Sequence, residues 1–430
     1  MIGMFLGGFV AFLAIGMPVA FAMGLTFLGV MGMERGFANI SYSMAAQRML
    51  YGLNSFPLLA IPFFLLAGRI MNEGRLTERI FNFALAVVGH VRGGLGHVNV
   101  LGSMIFAGMS GSAVADAAGL GQIEIKAMTD AGYDLDYSCA VTAASATIGP
   151  IIPPSIPMVL YGVLASVSVS GLFIGGIIPG ILMGLAMMVL CSYYARKRNY
   201  PRRPRATFRQ FIRAFINGFG ALFTVVIIIG GIYTGIFTPT EAGAVAVAYA
   251  AILSMFIYKE LTLQGLYRAC RDTMMETGII MFIFAAASLF AWLITRYRIP
   301  YQLVDMMQSW TTDPLWTLII INIFLLIVGC FESAGVTILV LTPILLPIVL
   351  KAGIDPLYFG VVMVFNLMIG VITPPYGAVL FVLTRVGKIE FGRLVWAVIP
   401  WYIPLGVTLV LLIAFPELIL WLPRTVLGIR

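Results

Sequence analysis

Apolar residues run through this chain in tracts long enough to cross a lipid bilayer, and charged residues gather in short loops between them. Residues 220–237 and 316–328, for example, contain no charged side chain. The hydrocarbon core of a bilayer is about 30 Å thick and takes roughly 20 apolar residues of helix. The tracts also lack the alternation of apolar and polar residues that a membrane β-barrel shows. The pattern therefore predicts an all-α polytopic membrane protein.

Composition supports this prediction, and the positions of the basic residues show that the positive net charge is a feature of membrane topology. Of the 430 residues, 61% are hydrophobic and 10% are charged, whereas soluble domains carry about 25% charged residues. The formal net charge is +8, but the basic residues lie in loops between apolar tracts. There they fix topology and face membrane lipid, so the charge does not indicate a nucleic-acid partner.

The most unusual motifs of the chain occur twice, 221 residues apart. GPIIPPS at residues 149–155 aligns without a gap on GVITPPY at residues 370–376. Chance similarity between apolar sequences matches Leu or Val, but not Gly, Asp, Tyr and Pro in register. Further matches are Gly108, Ser112, Gly132, Asp134 and Tyr137 on Gly329, Ser333, Gly353, Asp355 and Tyr358. We interpret the chain as a duplication, with a first repeat at residues 1–209 and a second at residues 222–430.

Each repeat is predicted to hold five crossings and one re-entrant hairpin, which gives about ten crossings in all. The order is two crossings, a third crossing, an amphipathic interfacial stretch, a hairpin of two segments too short to span, a broken crossing and an uninterrupted crossing. The third crossing is at 51–70 and 274–294, the interfacial stretch at 76–90 and 299–310, and the last crossing at 172–194 and 394–418. Scaffold helices are assigned to 1–92 and 222–313, and hairpin plus broken helix to 95–167 and 316–386.

An odd number of crossings turns the second repeat upside down relative to the first, as in transporters built from inverted repeats. This topology places 19 Lys and Arg residues on the side of the loop at 196–213 and seven on the other side. By the positive-inside rule, both termini face the periplasm and the protein spans a bacterial inner membrane. The seven are Arg35, Arg48, Arg296, Arg298, Lys351, Arg424 and Arg430.

The chemistry is predicted to lie at the two broken crossings and the two hairpin tips. Inside a membrane, backbone leaves the helix only where protein or a water-filled cavity satisfies it. Pro153 and Pro154 lack amide hydrogens, so the break exposes carbonyl oxygens that suit a hard monovalent cation. Ser110 and Ser112 add oxygens at the first tip, and a second cation site is predicted at Ser333, Gly370, Thr373 and Pro375. Candidate substrate-binding residues are Asp116, Ser155, Glu332 and Tyr376.

At these residues the sequence resembles the large permease subunit of the tripartite ATP-independent periplasmic (TRAP) transporters, a branch of the ion transporter superfamily. The motifs are SGSAVADAAG (110–119), GPIIPPSIPMVLYG (149–162), GIFTPTEAGA (235–244), LTPILLPI (341–348) and ITPPYG (372–377). The second tip reads FESAG, which departs from the common form of the family around Glu332.

The resemblance implies an elevator-type, sodium-driven carrier of organic acid anions, with no cofactor beyond the coupling ion. It implies a small four-helix membrane subunit and a periplasmic substrate-binding protein as partners. By the same resemblance, one sodium site is formed by Ser110, Ser112, Gly149, Ile152 and Pro154, and the other by Ser333, Gly370, Thr373 and Pro375.

Several alternatives remain open at this stage. The main one is a sodium- or proton-coupled carboxylate carrier of the same superfamily that works without a binding protein. A channel would need a continuous polar pore, and an enzyme would need a catalytic pair that the sequence does not supply. The transported acid could be a C4-dicarboxylate, a sialic acid or another sugar acid.

Overall fold

The structure of the protein is a computed structural model that describes residues 2–428, without the side chains of residues 2–4, 6 and 35. That part of the chain contains helices and no strand. Residues 1, 429 and 430, at the outer ends of the two predicted repeats, lie outside the described residues. The side chains of Arg35 and Arg430, two of the seven basic residues counted on one side of the membrane, lie outside them too.

The α-helices are α1 (Ile2–Ala14), α2 (Val19–Arg35), α3 (Tyr42–Leu53), α4 (Ala60–Glu73), α5 (Leu76–Val88), α6 (Gly94–Ser110), α7 (Ala113–Ala118), α8 (Leu120–Asp130), α9 (Leu135–Ala146), α10 (Ile156–Ala165), α11 (Val169–Lys197), α12 (Phe208–Val225), α13 (Gly231–Tyr233), α14 (Pro239–Ile252), α15 (Leu263–Arg296), α16 (Ile299–Trp310), α17 (Pro314–Gly329), α18 (Ala334–Lys351), α19 (Pro356–Gly370), α20 (Ala378–Gly387), α21 (Phe391–Val398), α22 (Tyr402–Ala414) and α23 (Glu417–Leu427). Short 3₁₀ segments occur at Phe37–Asn39, Phe56–Leu59 and Ile399–Trp401, and π-helical turns at Val226–Gly230 and Leu253–Ile257.

The order of helices recurs along the chain at the spacing of the repeated motifs. The helix before each break, α9 or α19, begins at residue 135 or 356. The two helices predicted to lie at the interface, α5 and α16, begin at the predicted residues 76 and 299, and both are amphipathic. Their position along the membrane surface stays a prediction. The inverted orientation of the two halves stays a prediction.

The two halves differ where one has a continuous helix and the other has a break. The 34-residue α15 corresponds to α3 and α4, which are separated at residues 54–59. The predicted uninterrupted crossing at 394–418 corresponds to one helical span, Phe391–Ala414, which contains a 3₁₀ turn at Ile399–Trp401 and ends four residues earlier than predicted. Pro400 in that turn has no amide hydrogen and cannot continue regular α-helical bonding.

By length and composition, seven helices of the described chain can cross a membrane, or eight if α16 and α17, bent by 118°, count as one span. The prediction of about ten crossings therefore stays a prediction. Each hairpin arm was expected to be too short to span a membrane, and this is wrong for α18, whose 18 residues are long and apolar enough to cross one. Pro343 and Pro347 lie inside α18 without ending it.

Hairpins and broken helices of the two halves pack against each other. The half-helix α10 of the first break contacts α18 of the second hairpin, and α20 of the second break contacts α7 of the first hairpin. Among the scaffold helices, α4 packs on α14 and α15, and α12 packs on α5. The candidate site residues of both halves therefore converge in the middle of the molecule.

Candidate functional site

The first break is the non-helical segment between α9 and α10, and it is enclosed by protein. Residues 147–155 are all buried. Three prolines in this segment, Pro150, Pro153 and Pro154, remove the amide hydrogens that would continue the helix. The peptide bond between Pro153 and Pro154 is cis, as is the one between Pro374 and Pro375 in the second break.

The first hairpin tip lies directly against this break. Gly111 has a φ of +62°, and a Cβ atom on it would lie 2.7 Å from the carbonyl oxygen of Pro154. A Cβ atom on Gly149 would lie 3.3 Å from the carbonyl oxygen of Ser112. A side chain at Gly111 would therefore clash with the break, and one at Gly149 would force the tip to shift. The structure thus brings together Ser110, Ser112, Gly149 and Pro154, whereas the Ile152 side chain packs towards Gly180 of α11.

The serine hydroxyls around this contact have different hydrogen-bond partners. Ser112 is the N-cap of α7, and its Oγ accepts a bond of 3.3 Å from the amide of Ala115. Ser155 caps α10 by accepting from the amide of Met158, and its hydroxyl donates to the carbonyl oxygen of Pro150. Ser110 is 2% exposed, and its Oγ has no hydrogen-bond partner. Of the three, only Ser110 keeps an unused buried oxygen.

The second tip and break make equivalent contacts. A Cβ atom on Gly370 would lie 2.6 Å from the carbonyl oxygen of Gly329, and the amide of Tyr376 donates to the carbonyl of Cys330 at 3.0 Å. The Thr373 hydroxyl donates to the carbonyl of Ile369 at 2.7 Å. Pro375 precedes Tyr376 in this break, so the tip and all the predicted residues of the second site lie within one short region.

A cavity of 250 Å³ lies between the two tips and the two breaks. Its walls are mainly apolar, and its volume lies just below that of small-molecule sites, which measure roughly 300–1,000 Å³. Ser112, Glu332, Ser333 and Tyr376 line it, whereas Asp116 and Ser155 are not among the lining residues.

One charged residue of the cavity wall was missed from the sequence. Glu276 of α15 lines the cavity, and its Oε2 accepts a bond of 2.5 Å from Nη2 of Arg69 on α4. Its place within the predicted crossing at 274–294 was a usable signal, because carboxylates inside membrane helices are costly and usually functional. None of the described lining residues is Lys or Arg, so Arg69 behind Glu276 is the nearest cation that the contacts show.

Outside the predicted crossings, an ionic contact holds the loop that joins the two halves against the start of α9. Tyr200 and Arg198 both donate to Oδ2 of Asp134, at 2.8 Å and 2.7 Å. The hydrogen bond from Tyr200, together with Arg198, holds the pKa of Asp134 below its ordinary value. The ring of Tyr200 also stacks on Tyr133 with centroids 4.2 Å apart.

Two hairpin tips and two broken helices around one cavity are the arrangement of a secondary membrane transporter. A family model described as "Tripartite ATP-independent periplasmic transporter, DctM component" matches residues 6–418. The chain therefore belongs to this family of TRAP transporter permeases, which confirms the resemblance, the all-helical transporter fold and the prediction that the protein is not an enzyme.

Individual relatives agree with this assignment. A sialic acid TRAP transporter large permease protein of Vibrio cholerae is 44% identical over 421 residues, covering 98% of both chains. A 2,3-diketo-L-gulonate TRAP transporter large permease protein of Escherichia coli is 42% identical over 416 residues, covering 97% of both chains. The solved YdaH transporter of Alcanivorax borkumensis has a TM-score of 0.65 at 13% identity over 89% of each chain, a likeness of fold alone.

Proposed function

We propose that the protein imports an organic acid anion by sodium-coupled secondary active transport, with the anion delivered by a periplasmic binding protein and moved by an elevator mechanism. The observation that carries this proposal is the convergence of two tip-and-break pairs on a single cavity. Each pair supplies oxygen atoms for a cation, and the cavity between them accommodates the anion.

Sodium coupling is supported by the oxygen atoms at each break. Prolines in both breaks leave carbonyl oxygens without intrahelical donors, and such oxygens suit sodium ions. At the first break, the buried Oγ of Ser110 adds an oxygen that no protein donor uses. At the second, Tyr402 donates to the carbonyl of Ile372, so part of that backbone is satisfied by protein.

An anionic substrate is supported by the helix ends that face the cavity. Ile156, Ala334 and Ala378 line it, and they are the first residues of α10, α18 and α20. Helix N-termini carry partial positive charge and unpaired amides, which favour a carboxylate. The relatives named for sialic acid and 2,3-diketo-L-gulonate point to a sugar acid for this chain, with a C4-dicarboxylate as the alternative.

The family supports two partners and a membrane location. In this proposal a small four-helix membrane subunit braces the scaffold helices, and the binding protein docks from the periplasm. The chain lies in the bacterial inner membrane with both termini in the periplasm and its two repeats inverted.

The test is uptake by purified transporter in proteoliposomes, with its binding protein outside and N-acetylneuraminate, 2,3-diketo-L-gulonate and succinate as radiolabelled probes. We expect one probe to accumulate under an inward sodium gradient. Equal uptake with potassium in place of sodium, and no pH gradient, contradicts sodium coupling. Undiminished uptake without the binding protein would instead favour the carrier that works alone.

A further inference from the structure

The part of the cavity wall formed by α15 carries a carboxylate. Glu276 lines the cavity together with Ile280 and Ile283, which lie four and seven residues further along the same helix. This spacing places the three side chains on one face of α15. The Glu276 side chain is 42% exposed. A charged group on a scaffold helix is therefore accessible from the cavity.

Arg69 of α4 holds this carboxylate by one of its two oxygens. Nη2 of Arg69 donates to Oε2 of Glu276 at 2.5 Å, and a hydrogen bond between two charged groups is among the strongest in proteins. The other oxygen, Oε1, makes no hydrogen bond within the described part of the chain. Because a carboxylate accepts hydrogen bonds and donates none, Oε1 is available to a donor in the cavity.

Asp272, one helical turn before Glu276, shows the contrast. Its Oδ2 lies 3.8 Å from Nη1 of Arg69, and its Oδ1 accepts from Nε of Arg271 at 2.9 Å. Both oxygens of Asp272 thus face protein cations, and Asp272 is not among the residues that line the cavity. Of the two carboxylates beside Arg69, Glu276 is the one that the cavity contents can reach.

The charges of the cavity wall select among organic acids. Its described lining includes two acidic side chains, Glu276 and Glu332, and no basic one. The helix N-termini described above favour one carboxylate of the substrate. A second carboxylate would share the cavity with the two acidic side chains, and like charges brought together disfavour binding. Hydroxyl groups donate hydrogen bonds to carboxylates instead.

We propose that Glu276 is a specificity-determining residue, whose Oε1 accepts a hydrogen bond from a hydroxyl of the transported acid and whose charge disfavours a second carboxylate. Arg69 is a positioning residue that holds the other oxygen. The substrate is then a polyhydroxylated acid with one carboxylate, and not a C4-dicarboxylate. This assignment rests on the organic-anion transport proposed above and narrows its substrate class.

Ligand-dependent melting of the purified membrane transporter tests the assignment. In sodium buffer, the rise of the melting temperature with concentration gives an apparent Kd for N-acetylneuraminate, 2,3-diketo-L-gulonate and succinate. The binding protein is left out, so that its own selectivity does not enter the measurement. We expect at least one of the two sugar acids to bind wild type, and succinate to bind roughly 10-fold more weakly or worse.

Glu276→Gln should shift this preference towards succinate. The variant removes the negative charge and releases Arg69, so the affinity for the sugar acid should fall roughly 10-fold while the affinity for succinate rises. Asp272→Asn is the matched control, because it removes a carboxylate beside the same Arg69 that does not line the cavity. Its ratio of sugar-acid to succinate affinity should equal that of wild type.

A conservative variant covers the case in which Glu276→Gln does not fold. Glu276→Asp keeps the charge and shortens the side chain, so it should weaken binding of the sugar acid and still exclude succinate. Unchanged affinity for the sugar acid in Glu276→Asp would contradict the hydrogen bond from the substrate.

The affinity ratio separates specificity from a structural role, which would change the binding of all three probes alike. An unchanged ratio in Glu276→Gln, or an equal change in Asp272→Asn, overturns the assignment. If succinate binds wild type as tightly as the sugar acids, the assignment is wrong and organic-anion transport stands. If none of the three probes binds wild type, both proposals fail.

Discussion

At the scale of single residues, the candidate polar groups are distinguished by the hydrogen bonds they already make. Glu241 follows Thr238 at the start of α14 and completes a capping box with it, as expected for a carboxylate in the first turn of a helix. Ser155 and Thr373 are likewise engaged with nearby backbone. Ser110 is not, and this difference makes it the most informative position of the first site.

Ser110→Ala should weaken sodium binding and leave the fold intact. A polar contact to a charged group contributes about 1.5–3 kcal/mol. If the hydroxyl contributes that much to sodium binding, the sodium affinity should fall roughly 10-fold to 100-fold. Sodium titration of uptake and of thermal unfolding measures the effect. If Oγ of Ser110 is only an unpaired buried group, the variant will be more stable than wild type and its sodium dependence unchanged.

Gly370→Ala should disrupt the second tip-and-break contact. Its new Cβ would lie 2.6 Å from the backbone oxygen of Gly329, and neither backbone can move without repacking. Such overpacking costs about 1–3 kcal/mol, so both the melting temperature and uptake should fall. Gly406→Ala is the control, because no atom lies within 4 Å of that Cβ position in α22. A wild-type melting temperature in Gly370→Ala would contradict the close contact.

At the scale of elements, two aspartates at matching positions have different roles. Asp355 caps α19 by accepting from the amides of Leu357 and Tyr358. Asp134, at the start of α9, makes no such cap and instead binds Arg198 and Tyr200 of the loop between the two halves. Hydrogen bonds therefore hold the first broken helix to that loop, whereas the matching aspartate of the second broken helix caps its own helix.

Asp134→Asn should weaken the contact between α9 and this loop, and the resulting loss of stability should depend on pH. Because the folded pKa of Asp134 is lowered, its stabilising contribution is present above the ordinary Asp pKa of about 3.9 and is lost as pH falls through the folded value. The variant should thus melt below wild type at pH 7, and the difference should shrink towards pH 3. Tyr200→Phe, which keeps the ring and removes the hydrogen bond, should show the same trend. An equal difference at every pH would count against the ionic contact.

At the scale of the whole molecule, scaffold and hairpin helices touch at defined points. A Cβ atom on Gly108 of α6 would lie 3.4 Å from the Cβ atom of Val225 on α12. This separation is close to the 3.5–4.5 Å typical of disulfides. In the proposed elevator, α6 belongs to the moving body and α12 to the fixed scaffold, so this contact must break during each transport cycle.

A disulfide between Gly108→Cys and Val225→Cys, in a chain whose four native cysteines are replaced, should stop uptake until it is reduced. The control joins Gly218→Cys of α12 to Phe83→Cys of α5, whose Cβ atoms would be 3.5 Å apart within the scaffold. That second crosslink should leave uptake unaffected. If the first crosslink forms completely and transport continues, α6 does not move against α12 and the elevator proposal is wrong.

Much of the fold could be predicted because its signals are local in the sequence. Apolar tracts define membrane helices through their length, and proline pairs define breaks by removing amide donors. Because the two repeats are 221 residues apart, a helix boundary recognised in one half predicted the matching boundary in the other, as for the starts of α9 and α19. Continuity was less predictable, because neighbouring helices decide how a proline is accommodated: Pro343 lies inside the regular helix α18, whereas Pro400 lies in a 3₁₀ turn within its span.

The sequence by itself determined the membrane class, the duplication and the residues at the tips and breaks. Tertiary structure alone decided which of these residues share a cavity, since Glu276 reaches it from α15 whereas Asp116 is enclosed in the first hairpin. The physical reason is that burial and hydrogen-bond partners depend on contacts between distant helices, which a pattern along one chain does not specify.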